Sequence, residues 1–324
     1  MKSFHHINAS SMGDVVNTLN NYEGKAEILA GGTDILGVLK DQVLPHYPEV
    51  LINIKTIPGL DYIREDSGGL KIGPLVKLAD LIKSPLIQET YQALAEACKA
   101  VGTPQIRNMA TLGGNLAQDT RCWYYRYPHS IGGRILCLRK GSGPCLAVTG
   151  DNRYHAIFGG KRCFAVCPSD IAVALILLDA GVKTVGAGGG RIISLQDFYN
   201  PLGNVLESNE MISEIQVPRA PERGEQRFQK YSLRKPDFAL VSVAALVVMD
   251  GDLCREARIA LGAVAPAPLR STQAEQSLLG NRLNKTTLEK AAHLAVQGAK
   301  PLSMNNYKIE ITRSLVASTI ADCL

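Results

Sequence analysis

Several absences narrow what this 324-residue chain can be. No apolar run approaches the roughly 20 residues that a membrane-spanning helix needs. The longest, 238–249, suits a buried core segment. Residues 1–8 contain neither an apolar export core nor paired arginines, so no export signal is predicted and a cytoplasmic protein is expected. No internal repeat and no low-complexity tract occurs, which sets aside solenoids and long disordered tails. Charged residues are only 20% of the chain and hydrophobic ones 46%, enough for a large ordered core. Length alone suggests two domains. The histidines, His5, His6, His46, His129, His155 and His293, fall in no metal-binding spacing and read as structural or exposed. No local Ser-His-Asp signature appears.

Cysteine is present and unevenly spread. Five of the eight lie between Cys122 and Cys167. Without an export signal a disulfide framework is not expected, and Cys98, Cys254 and Cys323 read as small core residues. Cys122, Cys137, Cys145 and Cys163 are spaced C-x14-C-x7-C-x17-C. No pair forms the C-x2-C knuckle of common structural zinc sites, and no ferredoxin spacing fits. The residues alone therefore leave an iron–sulfur cluster, a zinc ion or a plain loop open, with Cys163 and Cys167 as alternative ligands. Trp123, Tyr124, Tyr125 and Tyr127 suit either shielding of a cluster or simple packing.

The same segment carries the charge. From 116 to 167, Arg121, Arg126, Arg134, Arg139, Lys140, Arg153, Lys161 and Arg162 stand against Asp119 and Asp151. That is a net +6, whereas the whole chain is +5. No recognition helix, zinc-finger spacing or aromatic RNA-binding motif accompanies it, so nucleic acid is not an expected partner. Such charge would offset an anionic cluster and steer an acidic electron carrier.

Apolar patterning predicts strands over 26–30 and 51–54, a helix over 35–42 and hairpin arms at 60–63 and 70–72. It also predicts a helix over 86–100. The segment 116–167 has neither helical nor strand periodicity, and a loop of that length needs something to hold it. Ser169 is a plausible N-cap for a helix over 171–179. Strands at 182–185 and 191–195 flank a Gly-rich turn that fails the dinucleotide fingerprint, because a strand follows it. A strand at 211–217 closes the first domain, 1–217. After the Pro218 to Gly224 link, strands at 227–233, 242–248 and 258–261 precede helices at 274–279, 287–299 and 309–320, giving a second domain, 225–324.

Two glycine turns suit a phosphate. Gly31, Gly32, Thr33 and Asp34 stand between strand and helix, where bare amides and a helix start favour an anion. Asp34 reads as a cap or a ribose ligand. Thr111, Leu112, Gly113, Gly114 and Asn115 offer further amides and a side-chain amide. Each alone is an ordinary junction; a long dinucleotide needs both.

Together, Ala30 to Asp34, Thr111 to Asn115, Pro168-Ser169-Asp170, Ile212 to Pro218 and Lys230 to Ala239 resemble the FAD-binding subunit of the xanthine oxidase family of molybdenum enzymes. The resemblance covers nearly the whole chain. The cysteine segment, longer than the link most relatives have here, resembles the insert of the 4-hydroxybenzoyl-CoA reductase beta subunit. The resemblance implies an α+β fold. It comprises a two-subdomain FAD-binding domain with a cluster-binding insert and a C-terminal domain of a three-stranded antiparallel sheet with helices. It implies FAD held by Leu29, Ala30, Gly31, Gly32, Thr33, Asp34, Ile35, Leu36, Thr111, Gly113, Gly114 and Asn115, with Asp170 on the ribityl or adenine side. Ile215 and Lys230 would lie near the flavin. Cys122, Cys137, Cys145 and Cys163 would ligate a 4Fe–4S cluster. The implied partners are a molybdenum-binding large subunit and a 2Fe–2S small subunit, in a dimer of heterotrimers, and a ferredoxin-like donor. The implied reaction is reductive dehydroxylation of 4-hydroxybenzoyl-CoA on another subunit, with a molybdenum hydroxylase or aldehyde oxidoreductase running oxidatively, or a self-contained FAD oxidoreductase, as the alternatives.

Overall fold

A computed structural model describes residues 1–133 and 135–324 of the chain. Arg134, part of the charge count above, lies outside the described residues.

The chain opens with a small parallel sheet, in the order His5–Asn8, Val50–Asn53, Ala26–Leu29. Helix Met12–Asn21 covers it. Ser11 and Asp14 form a reciprocal capping box that fixes the helix start, and Val15 and Leu19 join the core under the sheet. A second, antiparallel sheet follows in the order Ile63–Asp66, Gly69–Ile72, Glu210–Val217, Gly181–Gly186, Ile192–Ser194. The central strand, Glu210–Val217, comes from the far side of the cysteine segment, so that segment is an excursion from a closed subdomain.

Helix Asp170–Leu177 is buried at every position. An all-apolar helix of this kind must be covered on all sides. Helix Gln92–Ala100 packs on it from one side and the C-terminal sheet from the other. Ser169 caps it, its Oγ accepting from the Ala172 amide at 3.0 Å.

The C-terminal sheet runs Gly224–Tyr231, Val241–Asp250, Leu253–Gly262, with a two-residue edge strand, Leu269–Arg270, added to the three expected. Val241 to Val248 are buried without interruption. Alternation explains this: Ala244, Leu246 and Val248 face the first domain, while Val241, Val243, Ala245 and Val247 face the helices Thr272–Leu278, Lys285–Ala295 and Tyr307–Ala321. One face of this sheet therefore joins the core of the first domain, and the other builds a separate core with the C-terminal helices.

Among the described residues of 118–168, regular structure is limited to three short 3-10 turns, at His129–Ile131, Leu138–Lys140 and Leu146–Val148. The segment is pinned to both domains. Ile157 N donates to Val264 O at 2.8 Å and Lys300 N to Ile157 O at 2.7 Å. Asn305 Nδ2, fully buried, donates to the carbonyls of His155 and Ala156 at 3.1 and 3.2 Å. No helix among the described residues is long and apolar enough to cross a membrane.

Candidate functional site

The two glycine turns meet at one cavity of about 500 Å³, within the range of roughly 300–1,000 Å³ that small-molecule sites occupy. Gly31 to Ile35, Thr111, Gly113 and Gly114 line it. Leu29, Leu36 and Asn115 do not. The turns touch one another: a Cβ on Gly31 would lie 2.1 Å from the Met109 carbonyl oxygen, so only glycine permits the approach. Gly32 has a φ of +76°, in the left-handed region.

The first turn is open to a ligand. Among the described residues the amides of Gly31, Gly32, Thr33 and Asp34 donate to no protein acceptor. The second turn differs from expectation. Leu112 N donates to Val76 O and Gly113 N to Pro74 O, both at 2.9 Å, and Gly114 N to Thr111 Oγ1 at 3.2 Å. Its amides close the turn onto the neighbouring segment and do not lie bare. Asn115 is buried and accepts a hydrogen bond from Ser169 Oγ at 2.6 Å, which locks the second turn to the start of the buried helix.

Asp34 is neither a side-chain cap nor free. It sits at the N-cap position without a cap bond. Its carboxylate pairs with Arg121 and, at 2.7 Å, with Arg126, and accepts from Asp119 N at 2.9 Å. It thereby ties the cysteine segment to the first glycine turn. Glu27 also lines the cavity; burial, helped by the charge of Asp119, pushes its carboxyl up to about 7. Sequence patterning offered no signal for this residue.

Asp170 and Lys230 form a nearly fully buried ion pair at 2.8 Å, and Lys230 Nζ also donates to Ala100 O at 3.0 Å. Burial raises the Asp170 carboxyl against this pairing. Asp170 lines a second cavity of about 340 Å³ with Trp123, His155 and Phe238. Ile215 is fully buried in the sheet core, and neither it nor Lys230 lines these cavities. The two cavities share Val166, Cys167 and Pro168.

Cys122, Cys137, Cys145 and Cys163 converge on a third, small cavity of about 20 Å³, closed by Tyr124, Tyr125 and Arg139. Cys167 does not reach it and lines the two larger cavities instead. The neighbouring Cys145 lowers the Cys163 thiol below its ordinary value, and Cys163 raises that of Cys145; the Arg139 guanidinium adds to the lowering. Burial pushes Cys122 up to about 11. Arg139 Nε is buried with no acceptor, an orphaned donor beside four thiols. Cys122 Sγ lies 3.3 Å from His155 Nε2. His155 is 2% exposed, and burial, then Lys308, brings its ring down to about 4. Sequence reading placed it among the structural histidines, since nothing in the chain links positions 33 residues apart.

Among the described residues no three His, Cys, Asp or Glu are arranged to hold a single metal ion. A cluster asks for something different, one thiolate per iron around a shared cage. Four cysteine thiols are the donor set a cluster asks for, but the cavity has room for about one water, so a cluster would need the sulfurs to part. Half of the segment's basic residues are paired within the protein: Arg121 and Arg126 on Asp34, Arg139 on Asp119 and Arg153 on Asp151. Lys161 and Arg162 remain exposed, a smaller basic face than the count suggested.

Comparison with known proteins finds similarity along the whole chain. Residues 2–220 match the FAD binding domain in molybdopterin dehydrogenase, and residues 226–323 the CO dehydrogenase flavoprotein C-terminal domain. The chain is 35% identical to the aldehyde oxidoreductase FAD-binding subunit of Escherichia coli (strain K12), over 99% of this chain and 98% of that one. It is 29% identical to the carbon monoxide dehydrogenase medium chain of Hydrogenophaga pseudoflava, over 92% and 88%. The solved structure of carbon monoxide dehydrogenase from Hydrogenophaga pseudoflava superposes with a TM-score of 0.79 at 26% identity, covering 99% of this chain and 96% of that one.

Proposed function

Since the chain belongs to the family of FAD-binding medium subunits of xanthine oxidase-type molybdenum enzymes, we propose that it is the electron relay of such an enzyme. It would hold FAD at the two glycine turns and a 4Fe–4S cluster at the four convergent cysteines. Its partners would be a molybdenum-binding subunit and a 2Fe–2S subunit, in a dimer of heterotrimers. The observation that carries the reading is adjacency: Cys122 lines both the cysteine nest and the second cavity, and that cavity shares Val166, Cys167 and Pro168 with the first. A dinucleotide long enough to span the two cavities would end beside a cluster ligand.

Bound FAD would supply a centre that exchanges electrons in pairs or singly, and a cluster a one-electron station. The chain's own residues do the placing. The free amides of Gly32 and Thr33 offer donors to a pyrophosphate. Thr111 and Asn115 hold the second turn in shape. The Asp170–Lys230 pair fixes the wall of the second cavity from the C-terminal sheet. Cys122, Cys137, Cys145 and Cys163 would ligate the cluster, with Arg139 offsetting its negative charge. No residue of this chain is assigned to the substrate.

For the substrate of the molybdenum subunit we take an aldehyde, oxidised, on the strength of the aldehyde oxidoreductase relative that spans the whole chain. Electrons would then leave through this chain to an external acceptor. The cysteine insert favours a second reading, in which a reduced ferredoxin delivers electrons inward for 4-hydroxybenzoyl-CoA dehydroxylation. Anaerobic mixing of the purified complex separates the two. Bleaching of the flavin by an aromatic aldehyde supports the first. Bleaching by reduced ferredoxin, reversed by 4-hydroxybenzoyl-CoA and inert to aldehydes, supports the second. Iron, sulfide and flavin analysis of native and Cys137→Ser protein tests the relay itself. Four irons and one FAD per native chain, with iron lost and FAD kept in the variant, is the expected result; native iron in the variant overturns the ligand assignment.

A further inference from the structure

We propose that His155 is a positioning residue of the cysteine nest, donating its Nε2 proton to the thiolate of Cys122 on the side that borders the second cavity. The inference rests on the cluster reading given above.

The geometry singles out this contact. Nε2 stands 3.3 Å from Cys122 Sγ, and the other ring nitrogen, Nδ1, is buried and makes no hydrogen bond among the described residues. A neutral imidazole carries one N–H. Against a cluster-bound thiolate, placing it on Nε2 aims that proton at the Cys122 sulfur, whereas placing it on Nδ1 turns a ring lone pair towards the sulfur and leaves the N–H without an acceptor. The ring cannot swing away. Its backbone N donates to Asn152 O at 2.9 Å, and its carbonyl accepts from the fully buried Asn305. The rings of Trp123 and Tyr124 flank it at centroid distances of 6.0 Å.

The consequence is chemical asymmetry within the nest. Cys163 has the Arg139 guanidinium beside it, a charged donor on the side away from the second cavity's lining. Cys122 has a neutral donor, and of the four cysteines it is the one lining both the nest and the second cavity. A hydrogen bond to a ligand sulfur draws electron density from the metal centre and raises its reduction potential. His155 would therefore raise the cluster's potential from the side that borders the second cavity.

The test uses the assembled enzyme with His155→Leu and His155→Gln, read by iron, sulfide and FAD content and by an EPR-monitored redox titration. The Leu variant should keep its iron and show a lower cluster potential. The Gln variant, which restores an N–H donor, should return towards the native value. An iron-replete Leu variant with the native potential overturns the inference. If the Leu variant loses iron, the Gln variant decides: a native potential supports donation, and a lowered potential or lost iron overturns it. Native protein without iron or sulfide sinks the cluster reading itself, an outcome the variants cannot mimic.

Discussion

At the scale of single residues, Glu27 carries the clearest pH signature. Its carboxyl titrates at about 4.5 in an unfolded chain and about 7 in the fold, because burial and the neighbouring Asp119 both disfavour the anion. Between those values the folded state binds the extra proton. Stability of the flavin-free protein should therefore fall as pH rises from 4.5 to 7 and then level off. Glu27→Gln removes the ionisation, so it should match the native protein below pH 4.5 and exceed it at pH 8, by up to about 3 kcal/mol for the full shift. Urea unfolding at the two pH values reads this directly, and parallel curves for both proteins would refute it. Residue identity was otherwise a fair guide to the site. Glycine and cysteine are legible in their placement: Gly31 has the Met109 carbonyl against its Cα, and the four cysteines singled out in the sequence line one small cavity. What the sequence did not disclose are partners supplied by distant chain. The amides of the second turn look free until Pro74 and Val76 are seen to accept them, and His155 looks idle until it is placed against Cys122.

At the scale of elements, strands with apolar alternation and helices with clear caps were legible, and the misses share a cause. Ile63–Asp66 lies three residues later than the apolar pattern suggested, because its last three residues are exposed and an edge strand has one side without sheet partners. The periodicity over 86–100 runs on unbroken, yet the helix divides at Tyr91, whose φ of −125° and ψ of 51° leave the helical region while its ring stays fully buried. Burial of the side chain preserves the pattern that the backbone breaks. The helix Asp170–Leu177 was legible in both its cap and its apolar run, but its function in the fold was not. Its first residue pairs with Lys230 on the Gly224–Tyr231 strand, so the ion pair welds the first domain's central helix to the second domain's sheet. Lys230→Met should leave Asp170 buried and unpaired, costing about 3–5 kcal/mol. Adding Asp170→Asn should recover much of that loss. A double-mutant cycle by denaturant unfolding measures it, and a cost below 1 kcal/mol for the lysine change alone would show that water reaches the carboxylate.

At the scale of the whole molecule, the cysteine segment is a strap held at both ends and in the middle. Asp34 grips its beginning through Arg121 and Arg126. Arg139 pairs with Asp119 within it. The C-terminal domain grips its latter half: Asn152 donates to Ser303 Oγ at 3.1 Å and accepts from Met304 N at 2.9 Å, while Asn305 holds the carbonyls of His155 and Ala156. Irregular backbone persists only where its polar groups find such partners. The cysteine nest therefore depends on a domain that contributes none of its thiols. Asn305→Ala removes three hydrogen bonds at a fully buried position, two donated to the strap and one accepted from Leu302 N at 2.7 Å. The loss should reach about 2–3 kcal/mol, and it should be local. The amides of Ala156 and Ile157, which donate to Phe164 and Val264, should exchange with solvent faster, while the buried helix Asp170–Leu177 keeps its protection. Hydrogen exchange followed by peptide resolves the two regions. Uniform acceleration across both would mean that strap and core open together as one unit, and no change at 156–157 would mean that Lys300 and Val264 hold the strap without Asn305.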